Sequence, residues 1–495
     1  MTNTSSNSVT VIARHPVVCA NESSWKALES PFRLGAFDQV AGFVPIQVVW
    51  VYEQSSSNIE LIPVERLQRA MERLLDYYPQ LSGRIQINSD DGTREIARLG
   101  TGTELLEVRC SERLDAFSSR GLGSPESRLQ DLPGAGNALL APFDPTPDAV
   151  CRDPIFTVRH TRFACGSVAL GVRCHHSVCD ADGFFQLVRD LAELYRGFGS
   201  SENTLAHPPH IRPYMSELVG GNMSPRERQA ALDFQTPLFY VNPIANTDSA
   251  TADTSASAPA SLPPPPPPVE GRFFRFSSAR LAALKALATD PSGSGWISTF
   301  DALAAYVYQR VLKARLRLSA TDPNFGELSP TDFLTPINLR GRLSLPARYF
   351  HNTLFTSYTT IPSDMLTTGP LWQVAKIVHD VTRTSFLTSK DGLDGTLKWI
   401  AAQPDTRTIQ SGFRYGNGSF MVSQWNKFDM YAGSVFDVAP VLVSPPFTQS
   451  SLVDGLAYFL STEEIGKGGD AGAIDLSLAL AQPLWAIMDK DNPLV

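Results

Sequence analysis

The chain has 495 residues, 43 % of them hydrophobic and only 19 % charged, with Lys plus Arg at 42 against Asp plus Glu at 50. That length predicts two or three domains with a full core and no need of covalent staples. The net charge of −8 opposes a nucleic-acid binder, whose phosphate contacts need a basic face.

In chain order, the polar, uncharged start (residues 1–7) predicts no leader. No apolar run approaches the length of a membrane span, so a cytoplasmic protein is expected. Pro45 to Tyr52 reads as a strand. Val64 to Tyr78 reads as a helix with Leu67, Ala70, Met71, Leu74, Leu75 and Tyr78 on one face, stopped by Pro79. Leu81 to Ile85 then turns into another strand. Ile155 to Ala164 and Val168 to His176 read as paired strands joined by Gly166-Ser167, followed by a helix from Gly183 to Tyr195 that Gly197 stops. Composition breaks between about Asn246 and Glu270, where six consecutive prolines, Pro263 to Pro268, can join no sheet ladder. Beyond the break, Arg272 to Phe276 reads as a strand and Ser278 to Ala288 as a helix. Ser298 and Asp301 form a capping-box pattern opening a helix to about Leu318. Strands and helices mix in both halves without regular alternation. The expected fold class is mixed α and β in two lobes: an N-terminal lobe 1–215, a crossover and Pro-rich linker 216–270, and a C-terminal lobe 271–495.

The densest chemistry is Cys174-His175-His176-Ser177-Val178-Cys179-Asp180-Ala181-Asp182-Gly183. Strand alternation puts Val168, Leu170, Val172, Cys174 and His176 on one apolar face. His176 is thus expected on the buried face at a strand-to-helix junction, where burial lowers an imidazole pKa. Three readings stand open for it. Zinc is one, but His175 and His176 point to opposite faces and no second ligand pair follows. A structural histidine, with Asp180 or Asp182 capping the next helix, is the second. A general base held in place by Asp180 is the third. A Cys179 nucleophile lacks an activating neighbour. With six cysteines in the whole chain, a disulfide framework is not expected.

His176-Ser177-Val178-Cys179-Asp180 is a His-x-x-x-Asp motif. It resembles the active-site motif of the BAHD acyltransferases, and the run to Gly197 resembles the fungal branch that includes trichothecene 3-O-acetyltransferase. Other segments agree in order. Leu34 to Asp38 resembles the family's opening signature, and Tyr78 to Arg84 its "YPxLAGR" turn. Asn338-Leu339-Arg340-Gly341-Arg342 with Tyr349-Phe350-His351-Asn352 resembles its "RxRxxPPLPxxYFGN" region, and Ser423-Gln424-Trp425 its "TSW" segment. The family's Asp-Phe-Gly-Trp-Gly signature is missing: the stretch before Pro440 reads Ser434-Val435-Phe436-Asp437-Val438-Ala439, a departure bearing on coenzyme handling that a shifted Asp437 could offset. Asp182 ahead of Gly183 and His351 in place of a glycine are smaller departures; His351 is expected at a surface turn.

The resemblance implies a chloramphenicol-acetyltransferase-like fold and acyl transfer from coenzyme A to a hydroxyl of a fungal secondary metabolite, acetyl-CoA being the expected co-substrate. It implies His176 as general base, Ser423 and Trp425 as oxyanion donors, and Asp180 as a structural partner of Arg340, with Arg342 second choice. No metal, bound cofactor or covalent acyl-enzyme is implied. A monomer is expected, with acyl-CoA and a small alcohol as its partners. Two alternatives remain: a carrier-protein-dependent condensation enzyme, and a family member with altered or lost acyl transfer.

Overall fold

The computed structural model describes the chain apart from residues 1–7, 55–59, 118–128, 200–202, 222, 243–266, 294, 323–324, 465–468, 492–493 and 495. Most of the proline run lies outside these described residues, so its reading as a linker stays an expectation.

Two six-stranded mixed sheets organise the described residues. The first runs in spatial order Val9–Val17, Thr103–Cys110, Phe156–Arg162, Val168–His175, Pro45–Tyr52, Leu442–Ser444. The second runs Val269–Phe276, Ile474–Ala481, Leu456–Leu460, Phe420–Gln424, Asp332–Asn338, Leu354–Thr360. The chain's last stretch therefore lends one strand to the first sheet. Trp50 Nε1 donates to Met430 O and the Tyr52 hydroxyl to Ser434 O, fastening that return segment to the first sheet's core.

Local patterns account for the elements. The helix Val64–Tyr77 buries Leu67, Ala70, Met71, Leu74 and Leu75, each leucine and the methionine worth about 1.5–3 kcal/mol over exposure. It packs beside the helix Ala181–Arg196 over the first sheet. Pro79 opens a 3-10 turn instead of continuing the helix. In the second lobe the helix Thr299–Thr321 starts on a Ser298–Asp301 capping box. It is packed by Ser278–Leu287, Leu371–Val381 and Gln482–Asp491.

The strand Val168–His175 is buried along its whole length. Helices cover one face, while Leu139 and Leu140 cover Ala169 on the other. Both faces are therefore core, and the strand ends at His175, one residue earlier than the alternation pattern predicts.

Candidate active site

The turn after that strand is set by backbone bonds. His176 N donates to Val44 O, and Val178 N to His175 O. Asp180 then caps the helix Ala181–Arg196 by accepting from Gly183 N at 3.1 Å. Gly183 must be glycine, because a Cβ there would stand 2.0 Å from Phe350 O.

His176 is half-buried in this turn, which corrects the expectation that it sits on the strand's buried face. Burial acts on His175 instead: packed against Phe43 and Phe143, its pKa is pulled to about 3 by desolvation, with Arg94 adding to the effect.

What orients His176 comes from far along the chain. Asn352 Nδ2 donates to Asp38 Oδ1 and to His176 O, each at 2.8 Å. With both amide hydrogens so used, Asn352 Oδ1 faces His176 Nδ1 at 3.2 Å as an acceptor. The network therefore assigns the His176 proton to Nδ1 and leaves the Nε2 lone pair free. Asp38 anchors the relay. It is buried, accepts from Gly35 N, Asn352 N and Asn352 Nδ2, and burial raises its carboxyl to about 7.

Asp180 faces away from the His176 ring relay. Its side chain is 1 % exposed and binds Arg340 bidentately, Nη1 to Oδ2 and Nη2 to Oδ1 at 2.8 Å each. Thr353 N adds a third donor at 3.0 Å. Arg340 also holds Tyr349 O and His351 O. Arg342 is elsewhere engaged, on Thr382 O and Leu387 O. One carboxylate thus joins the His176 turn to the Arg340 and Thr353 backbone.

His351 is a correction. It is fully buried, with Nε2 on Ile211 O at 2.9 Å and Nδ1 3.9 Å from Asp38 Oδ2. Phe32, Tyr349 and Phe350 surround it, and burial lowers its pKa to about 4. It is a core residue, not a surface turn. Asp437 does anchor the divergent loop: it accepts from Ile62 N and the Tyr195 hydroxyl at 2.7 Å each, and meets Arg66 Nη1 at 3.4 Å. Cys179 is buried with its Sγ on Cys174 Sγ at 3.6 Å, and desolvation raises its thiol well above the usual range.

Three cavities meet beside Pro336 and Leu354. His176 shares one of about 220 Å³ with Ser423 and Trp425. His176 and Asn352 border a second of about 370 Å³. The third, about 810 Å³, runs from Ser423 and Trp425 to Arg342, Arg383 and Lys427. Ser423 Oγ and Trp425 Nε1 make no hydrogen bond among the described residues, so both donors are available to an incoming oxygen. The sequence motifs contained Asn352 and Asp38 but gave them no role, because nothing local pairs them with His176. Of the cavity-lining cations, Arg342 stood in a quoted motif but as an alternative partner of Asp180, while Arg383 and Lys427, from separate loops, carried no sequence signal.

A family model described as Transferase family matches residues 7–451. Among characterised proteins, rosmarinate synthase of Plectranthus scutellarioides is 24 % identical over 70 % of this chain and 69 % of its own. Shikimate O-hydroxycinnamoyltransferase of Nicotiana tabacum is 22 % identical over 83 % and 84 %. Among solved structures, vinorine synthase superposes with a TM-score of 0.65 at 16 % identity, covering 97 % of this chain and 96 % of its own. TRI101 of F. graminearum, in complex with coenzyme A and T-2 mycotoxin, gives 0.65 at 17 % over 93 % and 97 %. The two structural likenesses cover 93 % or more of this chain, both six-stranded sheets included.

Proposed function

This chain belongs to the Transferase family, the BAHD acyltransferases, and from that premise we propose that it transfers an acyl group from coenzyme A to a small-molecule hydroxyl with His176 as general base. The observation that carries the reading is the Asn352–His176 contact, with His176 bordering two of the three cavities. It supplies an imidazole with its proton on the far nitrogen and a free Nε2.

In this mechanism, Nε2 takes the acceptor's hydroxyl proton as that oxygen attacks the thioester carbonyl, while Nδ1–H stays on Asn352. Such general-base help is worth about 10²–10⁴-fold. The oxyanion of the tetrahedral intermediate receives the Ser423 hydroxyl and the Trp425 indole N–H. Collapse expels the coenzyme A thiolate, and His176 returns the proton to sulfur. No covalent acyl-enzyme forms. In the widest of the three cavities Arg342, Arg383 and Lys427 line the wall together with Asp180, Asp182 and Asp301; the coenzyme is placed there with its phosphates toward the three cations. Asp180 and Arg340 hold the turn and touch no reacting atom.

Acetyl-CoA is the first donor to test and a secondary-metabolite alcohol the first acceptor class. Support comes from the TRI101 structures, which are complexes with coenzyme A and with T-2 mycotoxin or deoxynivalenol. Among the described residues no helix is long and apolar enough to cross a membrane, and a cytoplasmic monomer is the working assignment. The test is His176→Ala, followed by thiol release from acetyl-CoA across an alcohol panel. Loss of about 10²-fold or more with an unchanged unfolding curve is expected. Retention of more than about a tenth of the wild-type rate overturns the assignment of the base.

A further inference from the structure

The cavity of about 370 Å³ beside His176 has an unbalanced charge. Arg94 and Arg407 border it, and no Asp or Glu does among the described residues. Arg407 is neutralised by a bidentate pair, Nε and Nη2 on the Asp405 carboxylate at 2.8 Å. Arg94 is different. Its Nη1 donates to Ala41 O at 2.7 Å, to Ser177 Oγ at 3.1 Å and to Asp38 O at 3.3 Å. All three are neutral acceptors. Its guanidinium lies over the Phe43 ring at 5.1 Å. No carboxylate pairs with it among the described residues, and Nε and Nη2 have no protein partner there. The Asp38 carboxylate is turned toward Gly35 N and Asn352. Burial pulls the Arg94 pKa down to about 10, with the charge of the nearby Asp38 carboxyl acting in the opposite direction.

Position adds to this. Arg94 holds Ser177, the residue directly after His176, so its guanidinium and the candidate base border the same space. The coenzyme is placed in a separate cavity, lined by three basic and three acidic side chains, that His176 does not border. At roughly 30 Å³ per water, about 370 Å³ holds an organic molecule of about a dozen heavy atoms. Gln39, Asn352 and Gln410 supply further polar contacts along its wall.

Resting on the acyl-transfer reading, we propose that the acceptor is a small hydroxy acid, and that Arg94 binds its carboxylate while its hydroxyl reaches His176. The free Nε–H and Nη2–H edge is the fork that matches a carboxylate bidentately.

The experiment pairs hydroxy acids with their methyl esters: 3-hydroxycyclohexanecarboxylate, 4-hydroxyphenylacetate and mandelate. Binding to the coenzyme A-loaded full chain is measured by calorimetry, and kcat/KM by thiol release from acetyl-CoA. Wild type should favour at least one acid over its ester by about tenfold or more. Arg94→Gln should bring that ratio to near one, and Arg94→Lys should restore part of it. The ratio is taken within each variant, so a general loss of activity does not move it. Wild-type ratios near one throughout the panel, or a ratio unchanged in Arg94→Gln, overturn the proposal. Should Arg94→Gln fail to fold, the wild-type ratio and Arg94→Lys decide: a wild-type preference kept at least in part by lysine supports it, and a ratio near one in wild type overturns it. Selective acid binding without thiol release sustains the Arg94 site and rejects the acyl-transfer reading. Transfer to neutral alcohols without acid preference does the reverse.

Discussion

Asp180→Ala probes the charged pair beneath the site. The carboxylate is 1 % exposed and takes Arg340 twice at 2.8 Å, Thr353 N at 3.0 Å and Gly183 N at 3.1 Å. Alanine leaves the Arg340 guanidinium, 15 % exposed, without its counter-ion, and strands two backbone N–H groups. Removing one partner of such a buried pair costs about 3–5 kcal/mol. With a loss of 1 kcal/mol shifting Tm by about 2–4 °C in a unit of 150–250 residues, the midpoint should fall by roughly 6–20 °C. The assay is thermal unfolding by circular dichroism of Asp180→Ala, Arg340→Ala and the double variant. Each single change strands one charge, so the double should lose less than the sum of the singles, with a coupling of about 1–3 kcal/mol. A midpoint within about 2 °C of wild type, or strictly additive losses, refutes the argument that this pair holds the turn.

Asn352→Ala removes the acceptor for His176 Nδ1 and should lower kcat about 10²-fold through misplacement of the ring, checked by thiol release; an unchanged kcat means the contact does not orient the base. Asp437→Ala leaves Ile62 N and the Tyr195 hydroxyl unsatisfied and should cost about 1–3 kcal/mol in denaturant unfolding; no loss would show the divergent loop is held by other contacts. Buried His160 and His351, both lowered to about 4, and His175, lowered to about 3, stay neutral in the fold but take protons when unfolded. Each should therefore remove about 1.4 kcal/mol of stability per pH unit as pH falls from about 6.5 toward 4. Asp38, raised to about 7, keeps its proton in the fold and opposes them, its contribution being lost as pH rises from about 4 to 7. Replacing His351 by Gln should flatten the acid limb of unfolding free energy against pH by one histidine's slope; an identical limb counts against its buried neutral state.

Much of this protein is written in local pattern. A period near 3.6 marks Val64–Tyr77, a capping box marks the start of Thr299–Thr321, and alternation marks Val168–His175, because helix faces, caps and strand faces depend on residues a few positions apart. The His-x-x-x-Asp spacing likewise pointed to His176 and Asp180. Tertiary structure decided the rest. Asn352 reaches His176 across 176 positions and Arg340 reaches Asp180 across 160, and no local rule pairs such residues. Burial is also a property of what packs on top: Phe43 and Phe143 make His175 the desolvated imidazole and leave its neighbour His176 open to the cavities, while Phe32 and Tyr349 enclose His351. Sequence determined which segments are helix and strand and singled out the motif proposed to carry the chemistry. Only the closure of two distant chain stretches around Pro336 and Leu354 decided which nitrogen is free, which cation has no paired carboxylate among the described residues, and what each cavity can hold.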